Sequence, residues 1–234
     1  MSDLKANYES ILQRIADAAL RSGRDPAEVK LVAVSKTHPA STIRAAIAAG
    51  CKIFGENKVQ EAESKILETE RSSAEWHLIG HLQSNKARKA VQLFDVIHSL
   101  DSVELADRLE RICIEDGRKS LPVLVQVDLA REETKSGISE TDLPRLVERL
   151  KQCEKLKLVG LMVLPPFFDD PAATRPYFIR LREIRDQLQR QNAFAYGRGE
   201  LSMGMSHDFE IAIEEGATIV RVGTAIFGGR QYNQ

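Results

Sequence analysis

The sequence predicts an α/β fold, a (β/α)8 TIM barrel with an extra N-terminal helix, and three observations carry that prediction. Eight short β-branched runs recur along the 234 residues, at 31–35, 52–55, 76–79, 95–99, 122–129, 158–164, 200–203 and 218–222. Segments with helical periodicity separate them, at about 40–49, 57–69, 84–92, 102–116, 140–152, 171–191 and 206–215. No stretch has the composition of a linker, and the longest irregular piece is residues 165–171. One domain spanning 1–234 is therefore expected. An open doubly wound sheet is the rival, but eight regular units match the count of a closed barrel.

The elements follow in order. An opening helix over about 3–22 gathers Ile11, Ile15, Ala18 and Ala19 on one face. Leu31-Val-Ala-Val-Ser35 is an almost wholly apolar run that ends at Lys36, and Thr37-His-Pro turns straight into the next helix. Gly50, Gly117 and Gly216 stop three helices, where a left-handed residue caps at little cost. Asp101-Ser102 starts the helix over 102–116, and Ser139-Glu-Thr-Asp142 ahead of Pro144 starts the one over 140–152. The helix over 171–191 carries Arg175, Arg180, Arg182, Glu183, Arg185, Asp186 and Arg190, the composition of a solvated outer face. Ile219-Val-Arg221-Val-Gly-Thr224 is the last strand, with an arginine in its middle.

The bulk composition narrows the function. At 43% apolar residues the chain can bury a sizeable core. A net charge of −1 leaves no basic footprint for nucleic acid. Cys51, Cys113 and Cys153 have no metal-ligand or CxxC spacing and read as buried thiols in a reducing compartment. The first residues have no signal-like segment, and no apolar run approaches ~18 residues, so a soluble cytoplasmic protein without a membrane partner is expected.

In a parallel barrel the chemistry gathers where the strands end. Those ends carry Lys36-Thr37, Gly55-Glu56-Asn57, Gly80-His81, Ser99-Leu-Asp101, Met162, Met203-Gly-Met-Ser206 and Gly223-Thr224. By alternation Lys36 shares a side with Val32 and Val34, the barrel interior, where its amine is placed for Schiff-base chemistry. Arg221 cannot stay unpaired in a barrel wall. It either answers a carboxylate such as Asp128 or Glu56 or donates to the ring nitrogen of a cofactor. A lysine and an arginine so placed suggest a site for an aldehyde-bearing phosphate, pyridoxal 5'-phosphate (PLP). The phosphate has two candidate holders. One is the backbone around Gly223 and Thr224; the other is Ser206, read as opening the helix after the seventh strand. Asn57 either touches the cofactor's ring hydroxyl or caps its helix, and His81 either borders the site or packs. Lys135-Ser136-Gly137 could border the pocket, while His77 and His98 read as core histidines.

The motifs Ala33-Val-Ser-Lys36-Thr, Phe54-Gly-Glu-Asn57, Trp76-His-Leu-Ile-Gly-His81-Leu-Gln-Ser-Asn-Lys86, Lys135-Ser-Gly137, Leu201-Ser-Met-Gly-Met-Ser206 and Val220-Arg-Val-Gly-Thr-Ala-Ile-Phe-Gly228 resemble those of the pyridoxal-phosphate homeostasis proteins. The likeness runs from about residue 30 to 229. It implies a fold-type III PLP barrel like that of alanine racemase, with Lys36 as the aldimine lysine and Arg221 facing the pyridine nitrogen. It also implies phosphate contacts from Ser206, Gly223 and Thr224, and Asn57, His81 and Met203 are expected beside them in the cofactor set. Two departures stand out: Lys58, where the family more often has tyrosine, and His207, where an acidic residue is frequent. The implied function is PLP binding in vitamin B6 and amino-acid balance, without robust catalysis, by a monomer that supplies PLP-requiring apoenzymes. The alternative is an amino-acid racemase using Lys36 as one acid/base. A racemase needs a second one opposite the lysine, and none of Tyr8, Tyr177, Tyr196 and Tyr232 falls on the expected rim, nor does the chain leave room after its last strand for a further domain to bring one. His81 is the remaining candidate for that role.

Overall fold

The structure, a computed structural model, describes residues 4–130 and 136–229. Helix α1 (Leu4–Arg21) precedes the barrel and buries Ile11, Ile15, Ala18 and Ala19, the face expected from its periodicity. Eight parallel strands close on themselves in sequence order: β1 (Lys30–Val34), β2 (Ile53–Glu56), β3 (Glu75–Leu78), β4 (Val96–Leu100), β5 (Leu121–Gln126), β6 (Leu156–Met162), β7 (Glu200–Ser202) and β8 (Ile219–Val222). Between them lie α2 (Ala40–Ala48), α3 (Val59–Thr69), α4 (Ala87–Leu93), α5 (Val103–Glu115), α6 (Leu143–Lys151), α7 (Arg175–Arg190) and α8 (Phe209–Glu214), with α9 (Thr224–Phe227) after β8. The barrel shuts where β1 meets β8, with Val32 beside Arg221 and Ala33 beside Val222.

The start and stop signals work as chemistry predicts. Ser102 accepts a hydrogen bond from the Leu105 N–H at the head of α5. Gly50, Gly117 and Gly216 all sit at positive φ just past their helices. Several boundaries differ from the sequence reading by a few residues, two of them for a visible reason. The strand expected over 122–129 ends at Gln126: the Val127 N–H still donates to the Met162 carbonyl, but Val127 also bridges to Ile138. The helix expected from 206 starts at Phe209, because the Asp208 carboxylate ties back to the Met205 N–H and makes 206–208 a turn. The backbone after the last strand, expected to be open, forms the short α9.

Alternation along the strands splits the apolar residues in two. Ala33, Phe54, Trp76, Leu78, Ile97, Val123, Val125, Leu161, Val220 and Val222 face the helices and join the large core between sheet and helix ring. Val32, Val96, Leu124 and Ile219 face inward and plug the floor of the barrel. Gly55 keeps this interior open, since a Cβ there would lie 2.7 Å from Val32 Cγ1. Above the plug the inward positions turn polar, and the site begins there. The three cysteines are free and buried, and burial pushes the Cys51 thiol up to about 12 and those of Cys113 and Cys153 to about 11. Among the described residues no helix is long and apolar enough to cross a membrane.

Candidate functional site

Lys36 leaves β1 half-buried, between two residues that are both held from behind. On the outward side of the sheet, Lys65 of α3 donates to the Ser35 carbonyl at 2.8 Å, to Glu56 Oε1 at 2.7 Å and to Glu61 Oε1 at 2.6 Å. Ser35 Oγ donates to the same Glu56 oxygen at 2.6 Å, and the Thr37 N–H donates to Glu61. Thr37 has φ +68°, a left-handed conformation that a β-branched residue adopts only under constraint. The constraint is the Glu61 bond. Burial pushes the Glu56 carboxyl above its usual range against the pull of Lys65. Partial burial opposes ionisation of Glu61 too, yet the bonds from Lys65 and Thr37 hold it below that range. Among the described residues Glu56 Oε2 has no hydrogen-bond partner, so this cluster is incompletely satisfied.

Arg221 projects inward from β8 and is only 3% exposed. Its hydrogen bonds go to Ser202 Oγ at 2.6 Å and to the Val163 carbonyl at 2.9 Å. The carboxylate partner considered on β2 is therefore corrected: Glu56 lies on the far side of the sheet, committed to Lys65. Burial lowers the Arg221 pKa to about 10, partly offset by Asp208, so the guanidinium keeps its charge at neutral pH. Behind it, Ser202 Oγ meets His98 Nδ1 at 2.9 Å, and His98 Nε2 meets His77 Nδ1 at 2.9 Å. His77 and His98 are core histidines, as read, but they are linked ones.

The ends of β7 and β8 converge. The Gly223 N–H donates to Ser206 Oγ at 3.2 Å, and the Arg221 N–H donates to the Gly204 carbonyl at 3.0 Å. Gly223 packs on β1 so closely that a Cβ would lie 3.1 Å from the Val34 carbonyl oxygen. That contact sets the Ser206–Gly223–Thr224 turn beside the strand that carries Lys36. Gly223 is the N-cap of α9, and the Thr224 and Ala225 N–H groups have no acceptor within that helix. Ser206 does not open α8; it reaches this corner from the turn before it. Met203 is fully buried in the core between sheet and helices, so its side chain is not a rim group.

Asn57 is half-buried just past β2 and is not the helix cap, since Lys58 occupies the N-cap of α3. Its backbone touches the next strand end: a Cβ on Gly80 would fall 2.3 Å from the Asn57 carbonyl oxygen. His81 is exposed and sits 3.4 Å from Asp101, forming a rim pair of its own. Burial raises the Asp101 pKa against that pairing. Lys58 is exposed, and His207 stacks on Phe167 with ring centroids 5.6 Å apart. Lys135 lies outside the described residues.

The rim thus offers a lysine, a buried guanidinium, two hydroxyls, an amide and free backbone N–H groups. Sequence reasoning missed Ser202 and the Glu56–Glu61–Lys65 cluster. Strand alternation was the available signal for the first, since Ser202 pairs beside Ile219, two residues before Arg221. The Glu61/Lys65 spacing of four on one helix was the signal for the second.

The profile of the family described as alanine racemase, N-terminal domain, matches residues 3–231. The pyridoxal phosphate homeostasis protein of Aquifex aeolicus is 44% identical over 95% of this chain and 96% of its own. PipY of Synechococcus elongatus, solved without PLP and with PLP bound, is 47% identical over 93% of this chain and all of its own, with TM-scores of 0.82 and 0.81. Alanine racemase from Corynebacterium glutamicum shares the fold alone, at 16% identity and TM-score 0.67 over 96% of this chain and 62% of that one.

Proposed function

We propose, for a chain that belongs to the pyridoxal phosphate homeostasis protein family, that the C-terminal rim of its barrel binds PLP and releases it to proteins that require it. The observation that carries this reading is Arg221. A buried guanidinium whose protein partners are one hydroxyl and one carbonyl keeps a donor free for a neutral acceptor, and a pyridine nitrogen is such an acceptor. The PLP-bound form of PipY and the names of the relatives support the same reading.

When bound, PLP supplies an aldehyde that a primary amine traps reversibly. Lys36 is the amine for that task, presented inward between its clamped neighbours Ser35 and Thr37. The Ser206 hydroxyl, the Gly223 and Thr224 backbone and the Thr224 hydroxyl would hold the phosphate, while Asn57 and His81 border the ring. Arg221 donates without giving up its proton, so the ring nitrogen stays unprotonated and the ring withdraws electrons weakly. A site built that way holds the cofactor better than it uses it. We place the protein in the cytoplasm as a single-domain monomer that serves PLP-requiring apoenzymes, and so affects vitamin B6 and amino-acid balance.

Titration of the purified chain with PLP tests this. An absorption band near ~420 nm is expected in the wild type and lost in Lys36→Ala, with the melting transition retained. A band that survives the substitution would move the covalent role to another lysine. A wild type with no band would end the PLP reading.

A further inference from the structure

The interior of the barrel holds a continuous line of polar side chains from Arg221 near the rim to Glu75 at the floor. In order, Arg221 Nη1 lies 2.6 Å from Ser202 Oγ, Ser202 Oγ 2.9 Å from His98 Nδ1, His98 Nε2 2.9 Å from His77 Nδ1, and His77 Nε2 2.8 Å from Glu75 Oε1. Ser202, His77, His98 and Arg221 are all buried, whereas the Glu75 side chain is 48% exposed. Four strands, β3, β4, β7 and β8, contribute one link or more each.

Donor chemistry assigns a direction to every bond. Arginine has no acceptor, so Ser202 Oγ accepts from it. A carboxylate has no donor, so His77 Nε2 carries hydrogen toward Glu75. Glu75 is ionised at neutral pH, because the His77 bond holds its carboxyl below the usual range. A neutral His77 then has only Nδ1 as acceptor, and His98 Nε2 must carry the hydrogen between the rings. Burial beside His77 and Arg221 keeps His98 neutral, so its Nδ1 accepts and the Ser202 hydroxyl donates to it. The reversed order requires a doubly protonated His77 and leaves the Ser202 hydroxyl hydrogen without an acceptor, a buried orphan that folding penalises.

We propose that Glu75, His77, His98 and Ser202 are positioning residues, a one-directional hydrogen-bond chain through which a carboxylate on the barrel floor fixes the orientation of Arg221 toward the cofactor ring. This rests on the reading of the rim as a PLP site, although the direction of the chain does not. Because each bond polarises the next, loss of the terminal carboxylate is felt at the far end. Two unrelated satisfied core histidines would carry no such message.

The test uses the full chain labelled with 15N-histidine. Without PLP, at neutral pH, His77 and His98 are both expected as Nε2–H tautomers. Glu75→Ala, an exposed change that spares the fold, is expected to give a tautomer mixture at His98. With PLP loaded, the same variant is expected to release it about threefold faster, a polarisation effect carried over several bonds. Ser202→Ala is expected to release it about tenfold faster, for one lost charge-assisted bond, with the rate restored by Ser202→Thr. An Nδ1–H or imidazolium form of His98 in the wild type would overturn the proposal. So would a His98 signal and a release rate both unmoved by Glu75→Ala. If the tautomers are as expected but the wild type takes up no PLP, the reading of the rim fails and takes the positioning role with it, while the chain itself stands.

Discussion

Two buried polar regions flank the wall of this barrel, and they are built on opposite principles. Inside, Arg221, Ser202, His98 and His77 form a line with a single cation, a neutral His98 and every link accounted for. Outside, Lys65 is held among Glu56, Glu61 and the Ser35 carbonyl, two carboxylates on one cation, with Glu56 Oε2 left unpaired. The inner region gains direction from neutrality, since each ring has one donor and one acceptor. The outer region gains stiffness from charge, and spends it on the backbone either side of Lys36. The difference separates orienting an electronic partner of a ligand from immobilising a nucleophile.

The sharpest way to break that comparison is Lys65→Met. It leaves Glu56 and Glu61 without their cation, and removal of one partner of a buried pair costs about 3–5 kcal/mol. Chemical denaturation should read that loss, with slower capture of PLP by Lys36 in whatever remains folded. A loss below about 1 kcal/mol, the value of an exposed pair, would make the cluster a solvated one and erase the contrast. Arg221→Gln comes next. It removes a buried charge along with two bonds and should cost about 1–3 kcal/mol, with PLP retained less well on dialysis. Unchanged stability and retention would place the guanidinium outside both the core and the site.

Acid sharpens the comparison, because His98 and the carboxyls of the outer cluster answer it differently. The folded pKa of His98 is depressed well below the ordinary 6.5, chiefly by burial. Above pH 6.5 the residue is neutral in both states and its contribution is complete. As the pH falls through that value toward the folded one, the unfolded chain takes a proton that the folded chain refuses, and stability declines. The slope from one such group is at most about 1.4 kcal/mol per pH unit. The two carboxyls of the outer cluster part company. Glu61, depressed from 4.5, loses its contribution only as the pH drops below that value, whereas the raised Glu56 binds its proton above 4.5 in the folded chain and adds stability as the pH falls. Urea melts between pH 7 and 5 should therefore show a slope in the wild type that His98→Asn reduces by about one proton. Equal slopes would mean that His98 is not buried as a neutral ring.

How much of this was legible in the sequence follows from the range of the forces involved. Strand and helix periodicity is local, and all eight strands and the apolar face of α1 lie where the pattern puts them. Ser102 and the glycines after α2, α5 and α8 are local signals too. The end of β5 was hidden because Val127 pairs with Ile138, across a segment whose return cannot be read from composition. The partner of Arg221 was hidden for the same reason. Burial of the arginine is evident from Ile219-Val-Arg221-Val, and a carboxylate is one of two partners the sequence suggests, but a serine from β7 and a carbonyl from beyond β6 take two of its donors. Lys36, Ser206 and Gly223 could be placed at strand ends, whereas the meeting of Gly223 with Val34 depends on closure of the barrel.

Borohydride reduction of the PLP-loaded protein, followed by peptide mapping of the modified lysine, tests the central claim most directly. The account predicts a pyridoxyl group on Lys36, with Lys65 unlabelled because Glu56 and Glu61 hold its amine. Label on Lys65 or Lys58 in place of Lys36, or no label on any lysine, would contradict it.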